Sequence, residues 1–326
     1  MRPYSEAPPA SGWMRVFLRV AIALCALLAL AGAASGLWLW RLTHPDRHPP
    51  SVTPAALTIS YEEITFRSVD GIPLAGWFIK GQEGAPALLL CHDLGEDKSR
   101  LINTAVPLSR VGYSLFLFDF RGHGASGGSC TLGLAEKRDI LGALDYLASR
   151  PDIDKRRFGF VGAGMGAHAG ILAARDRKEI RALVLDSPYP DVRSIVARSL
   201  GDNELIQKYV TPVPLAVFDL RFRISRDTEA AEGALKSLAD RDLLFIVARD
   251  DTHAADVRRM YEKAPEGPSG DKNLLQLTGS RTSSLYDLAK AEYDQAVLRF
   301  FEDYLPLPEQ PPPTKQPKRA DWAVSH

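Results

Sequence analysis

The chain is predicted to fold as an α/β domain on a mostly parallel central sheet with helices on both faces. Three observations carry that prediction. Strand-length apolar runs recur without polar alternation, which marks strands buried on both faces. Helix-length segments separate most of them, the pattern of a parallel sheet with crossover helices. Prolines are scarce in this stretch: of 23 in 326 residues, 10 fall within residues 57–304 and 13 lie in the 78 residues outside it.

Taken in order, residues 1–19 form a short N-terminal segment carrying Arg2, Arg15 and Arg19. Val20–Trp40 holds no charged residue. As a helix it is about 32 Å long, enough for a hydrocarbon core of about 30 Å. It reads as a transmembrane anchor, with Trp38, Trp40 and Arg41 at its exit. The other reading is a cleaved secretory signal, with an apolar core Val20–Leu30 and Ala31-Gly32-Ala33 as the cleavage site. Three arginines before the span and Arg41 and Arg47 after it favour a globular domain outside the cytoplasm. Residues 41–56 read as a stiff Pro-rich stalk. Residues 305–326, with six prolines, read as a disordered tail.

The domain at 57–304 contains strand runs at Leu74–Ile79, Ala87–Cys91, Tyr113–Phe120, Phe158–Val161, Ala182–Asp186, Leu243–Ala248 and Leu274–Leu277. Helical segments are expected at Leu101–Val111, Ala135–Ser149, Met165–Arg175, Ala255–Lys263 and Leu285–Tyr304. The connection between Asp186 and Leu243 is far longer than an ordinary loop. A cap over a pocket is expected there, at about Tyr189–Ser225.

Equal numbers of Lys+Arg and Asp+Glu, 40 each, give no support to nucleic-acid binding. Three cysteines exclude a disulfide-built scaffold. Cys91 reads as core packing, with a Cys91–Cys130 disulfide as the alternative. The histidines show no metal-ligand spacing, so neither a metal nor a cofactor is expected.

Several segments stand in the order of a known family. Phe66–Trp77 (FRSVDGIPLAGW) fits an opening hairpin, and Leu90-Cys91-His92-Asp93-Leu94-Gly95 fits a His-Gly loop. Asp119–Ser126 (DFRGHGAS) fits an Asp-x-Arg-Gly-x-Gly-x-Ser turn, and Gly162-Ala163-Gly164-Met165-Gly166 a G-x-S-x-G elbow. Asp186-Ser187-Pro188-Tyr189 ends the next strand. Over about Tyr61–Tyr304 the chain resembles the α/β-hydrolase family, in particular its membrane-anchored, serine-aminopeptidase-like members.

The resemblance implies a serine nucleophile at 164, an acid at Asp251 and a base histidine near Thr282. Position 164 is glycine, and no histidine occurs between His253 and His326. Loss of the nucleophile or base costs about 10⁶-fold in rate. The oxyanion-hole segment corresponds to His92, Asp93, Leu94 and Met165, with the carboxylate of Asp93 expected beside the hole and opposed to an oxyanion. Asp251 is then left as a carboxylate ahead of the helix at Ala255–Lys263.

The expectation is a membrane-anchored pseudoenzyme that retains a pocket for a small acyl-type ligand or a protein partner. An active esterase or peptidase-like hydrolase with another nucleophile is the alternative. A structural envelope protein with a vestigial pocket is a third.

Overall fold

The computed structural model describes residues 12–201, 203–222, 230–251, 253–278 and 289–309. Among them, eight strands form one sheet: β1 (Glu62–Arg67), β2 (Pro73–Ile79), β3 (Pro86–Cys91), β4 (Ser114–Phe118), β5 (Asp154–Ala163), β6 (Ile180–Asp186), β7 (Asp242–Ala248) and β8 (Asn273–Leu277). Their order across the sheet is β1-β2-β4-β3-β5-β6-β7-β8. The β1–β2 and β2–β4 pairs are antiparallel and every later pair is parallel. This is the mixed, mostly parallel eight-stranded sheet of an α/β-hydrolase fold. Each expected strand run is a strand here. β1 adds the outer half of the opening hairpin, in register Phe66 with Leu74. Its sequence EEITFR buries only Phe66, so it lacked the apolar run that marks the others.

The crossover helices are α2 (Ile102–Val111), α3 (Glu136–Ser149), α4 (Met165–Asp176) and α8 (Ala254–Lys263), and α9 (Lys290–Tyr304) follows the last strand. They bury apolar side chains against both faces. Phe118, Phe160, Leu183 and Phe245 belong to one core layer. Leu90, Val161, Val184 and Ile246 belong to the other. Alternate residues of the same strands supply the two layers, as a period of two requires. All the parallel strands end at one edge, where the site residues collect.

The long connection after β6 forms α5 (Val192–Ser199), α6 (Pro212–Phe222) and the short α7 (Ala231–Ala234). Asp191 caps α5 by accepting from Ser194 N at 2.7 Å. The residues expected to form a cap, about 189–225, include α5 and α6, and of them 202 and 223–225 lie outside the described residues.

The N-terminal helix α1 runs from Gly12 to Thr43, beyond both ends of the uncharged stretch. Arg15, Arg19 and Arg41 are tolerated because straight-chain residues continue a helix at little cost. It is long and apolar enough to cross a membrane, as an anchor or as a signal sequence. Its last turn is part of the domain: Leu39 and Thr43 are buried, and α1 packs on α6.

The Pro-rich segment that follows lies on the domain rather than standing off it as a stalk. Arg47 donates to the carbonyls of Ser126 and Gly128, both at 2.8 Å. Ser51 N donates to Ser99 Oγ at 3.2 Å. At the other end, Leu305 is buried and its carbonyl accepts from Tyr113 Oη at 3.1 Å. The start of the expected tail therefore belongs to the fold, and residues 310–326 lie outside the described ones.

Candidate active site

The turn from β5 into α4 carries Gly164 at φ +49° and ψ −109°. A side chain in that conformation costs of order 1–3 kcal/mol, whereas glycine adopts it freely. Gly166 allows the helix to sit against the end of β3, since a β-carbon there would lie 2.4 Å from Cys91 O. The chain thus makes a tight strand-to-helix elbow with glycine at its centre.

Asp93 occupies the space in front of it. Its Oδ1 accepts from Met165 N and from Leu94 N, both at 2.7 Å. Donors at 2.7–3.1 Å are what an oxyanion hole presents to a developing negative charge. Tyr189 Oη lies 3.3 Å from each carboxylate oxygen. Met165 opens α4, so the carboxylate also meets the positive end of a twelve-residue helix. The expected position of Asp93, beside the hole and opposing an oxyanion, needs correction. Its carboxylate sits directly on those two N–H groups, because its short side chain reaches its neighbour's N–H and that of Met165 together.

His92 plays no part in that contact. Its ring is fully buried, with Nε2 accepting from Phe120 N at 3.1 Å. The proton is therefore on Nδ1, which donates to Asp93 O at 2.7 Å. Burial lowers its pKa. His123 repeats the arrangement: Nε2 accepts from Gly95 N at 3.1 Å and Nδ1 donates to Arg121 O at 3.0 Å. Burial, with the neighbouring His92 ring, brings its pKa down to about 4. Both rings fix loops in their neutral form. His168 Nδ1 lies 2.9 Å from Tyr189 O and so helps to hold the tyrosine that touches Asp93.

Asp251 follows β7, on the same sheet edge. Its Oδ1 accepts from His253 N at 2.8 Å and its carbonyl accepts from Ala254 N at 2.9 Å. It stabilises the turn into α8. Thr282, the position matched to the base, lies outside the described residues. Asp93, Leu94, Gly164 and Met165 are brought together, and Tyr189 joins them. Tyr189 was visible in the sequence only as the end of the Asp-Ser-Pro-Tyr segment, with nothing to mark its reach toward Asp93.

The turn after β4 is held by buried charges. Lys98 Nζ pairs with Asp119 Oδ2 at 2.5 Å, and Lys98 N and Ala125 N donate to the same carboxylate. Arg121 bridges Asp139 at 2.6 Å and Asp70 at 2.7 Å. Cys91 and Cys130 are both free and buried. Burial pushes both thiols well above their usual pKa, and a thiol needs to be a thiolate to attack. Cys130 Sγ instead lies 3.7 Å from Met165 Sδ.

Known proteins share this arrangement of segments. The family described as serine aminopeptidase, S33 matches residues 82–231. The uncharacterized protein Rv2307c of Mycobacterium tuberculosis (strain ATCC 25618 / H37Rv) is 29% identical over 184 residues, covering 54% of this chain and 64% of that protein. The chain thus spans somewhat under two thirds of that relative's length. The uncharacterized protein YfhR of Salmonella typhi is 30% identical over 202 residues, 53% of this chain and 67% of that one. Among solved structures, the Pyrococcus furiosus esterase Pf2001 superposes with a TM-score of 0.63 at 23% identity, over 80% of this chain and 99% of the esterase. With the strand order and the elbow already described, these matches establish that the chain belongs to the α/β-hydrolase family, with a serine aminopeptidase S33-like domain.

Proposed function

We propose that this protein is a membrane-tethered, non-hydrolysing member of its family, whose pocket serves binding rather than turnover. The observation that carries the reading is the Asp93 carboxylate seated on the N–H groups of Leu94 and Met165. A substrate carbonyl has to displace a charged internal group before it is polarised, and at Gly164 there is no atom to attack it. The residual rate enhancement that an open oxyanion hole lends a disabled triad, about 10³–10⁴ over water, is then lost as well. The rival, an active hydrolase with another nucleophile, has Cys91 and Cys130 as its natural candidates, and their burial opposes it.

The ligand class proposed is a small acyl-type molecule or a protein partner held beneath α5 and α6. Retention of α1 in a bilayer, with the domain on the extracytoplasmic side, fits the arginines that precede the span. Treatment of the purified full chain with a serine-reactive fluorophosphonate probe tests the reading. No covalent adduct is expected by intact-mass measurement, and labelling of any residue sinks the proposal.

A further inference from the structure

α6 is apolar nearly all round: PVPLAVFDLRF carries only Asp219 and Arg221 as charges. A helix of that composition is normally enclosed by protein or lipid. Here one side is enclosed, with Pro214 and Phe218 buried. The opposite side, Pro212, Ala216 and Leu220 at a spacing of four, faces outward, and Leu220 is 82% exposed. The segment leading into α6 adds Leu205 at 66%, Tyr209 at 65% and Val210 at 49% exposure. Lys208 and Arg221, both exposed, flank these apolar groups. α6 packs directly on α1, whose own side chains from Trp13 to Leu30 are largely exposed.

We infer that the outer face of residues 205–220 is a second membrane contact, seated in the headgroup and upper acyl region of the bilayer that α1 enters. This rests on the reading of α1 as a retained anchor. Because α6 is packed on that helix, its exposed stripe adjoins the place where the anchor leaves the domain. Apolar side chains flanked by cations are what an interfacial element presents to lipid. The outer side of α6 therefore borders lipid rather than bulk water.

The test uses the full chain reconstituted in vesicles of phosphatidylcholine and phosphatidylglycerol. In a Cys25→Ser background, Leu28→Cys, Leu220→Cys and Arg156→Cys each carry an environment-sensitive fluorophore. Lipids bearing a nitroxide near the top of the acyl chain serve as quencher. Arg156 is an exposed control on β5. Loss of fluorescence at Leu28 and Leu220 but not at Arg156 is the expected result. Quenching at Leu28 with Leu220 as unquenched as Arg156 overturns the cap contact and spares the anchor. No quenching at Leu28 overturns the anchor and the inference with it. Energy transfer between differently labelled Leu220→Cys molecules without lipid quenching assigns the face to a second copy and also overturns it. As a second variant, Leu220→Asp, at a position too exposed to threaten folding, is expected to abolish quenching of a label at Leu205→Cys. Undiminished quenching there counts against the proposal.

Discussion

The carboxylate of Asp93 stands in the space that a side chain at Gly164 requires: a β-carbon at 164 would lie 2.0 Å from Asp93 Oδ1 and 2.2 Å from Oδ2. The two positions are therefore one unit. Glycine at 164 makes room for the carboxylate, and the carboxylate closes the site that a serine needs open.

Gly164→Ser alone is expected to destabilise the protein by about 3–5 kcal/mol, from the clash together with the positive φ. In an Asp93→Gly background the same change is expected to cost only the backbone strain, about 1–3 kcal/mol. Urea unfolding of the four members of this double-mutant cycle measures the coupling. Additive effects mean that Asp93 does not fill the elbow.

Ester hydrolysis at this elbow is expected to need three changes rather than two. Gly164→Ser with Thr282→His leaves the hole blocked and is expected to stay inert toward p-nitrophenyl acetate. Asp93→Gly added to that pair is expected to give measurable turnover and fluorophosphonate labelling at position 164. An inert triple variant with an intact circular dichroism spectrum means that position 282 is not the base site.

Acid is expected to loosen the domain through its buried histidines. The His123 pKa is lowered from 6.5 to about 4, so the fold binds the neutral ring and the unfolded chain takes the proton more readily. Its stabilising effect is complete above pH 6.5 and falls as pH drops through the interval to 4, by up to about 3 kcal/mol. His92 adds a loss of the same sign. Unfolding midpoints recorded between pH 7.5 and 4.5 check this, and His123→Asn is expected to flatten the profile.

Asp119→Ala is expected to cost about 3–5 kcal/mol, because it leaves the ammonium of Lys98 buried without its partner. Replacing both residues, Lys98→Met with Asp119→Leu, is expected to cost less than Asp119→Ala alone. Chemical denaturation of the two variants compares them directly.

Leu39→Ala is expected to destabilise the globular domain by about 2–5 kcal/mol in detergent, since this residue of α1 is buried in the core layer that contains α4. Leu28→Ala, on the exposed part of the same helix, is expected to leave the midpoint unchanged.

How far the sequence carried can be judged from particular residues. Leu88-Leu89-Leu90 and Leu183-Val184-Leu185 announced strands because both their faces are buried, so nothing interrupts the apolar run. Glu62–Arg67 shows no apolar run, since an edge strand needs only Phe66 inside, and its hairpin was legible only from Phe66–Trp77. The glycine at the centre of the elbow, Gly164, and the Asp93 that follows His92 were both legible. The contact between them was not. It depends on a side-chain rotation and on β3 and β5 lying side by side, which joins Asp93 to Met165 across 72 positions of chain. The same holds for Arg47, whose bonds to Ser126 and Gly128 turn a proline-rich spacer into a strap.

The burial of Leu39 has a further consequence for the fate of the N-terminus. The candidate cleavage site at Ala31-Gly32-Ala33 precedes Leu39, so a cut there leaves the packed last turn of α1 in place. Processing and retention then yield the same folded body. What differs is the space it searches, a volume in one case and a surface in the other. That difference sets which encounters it makes.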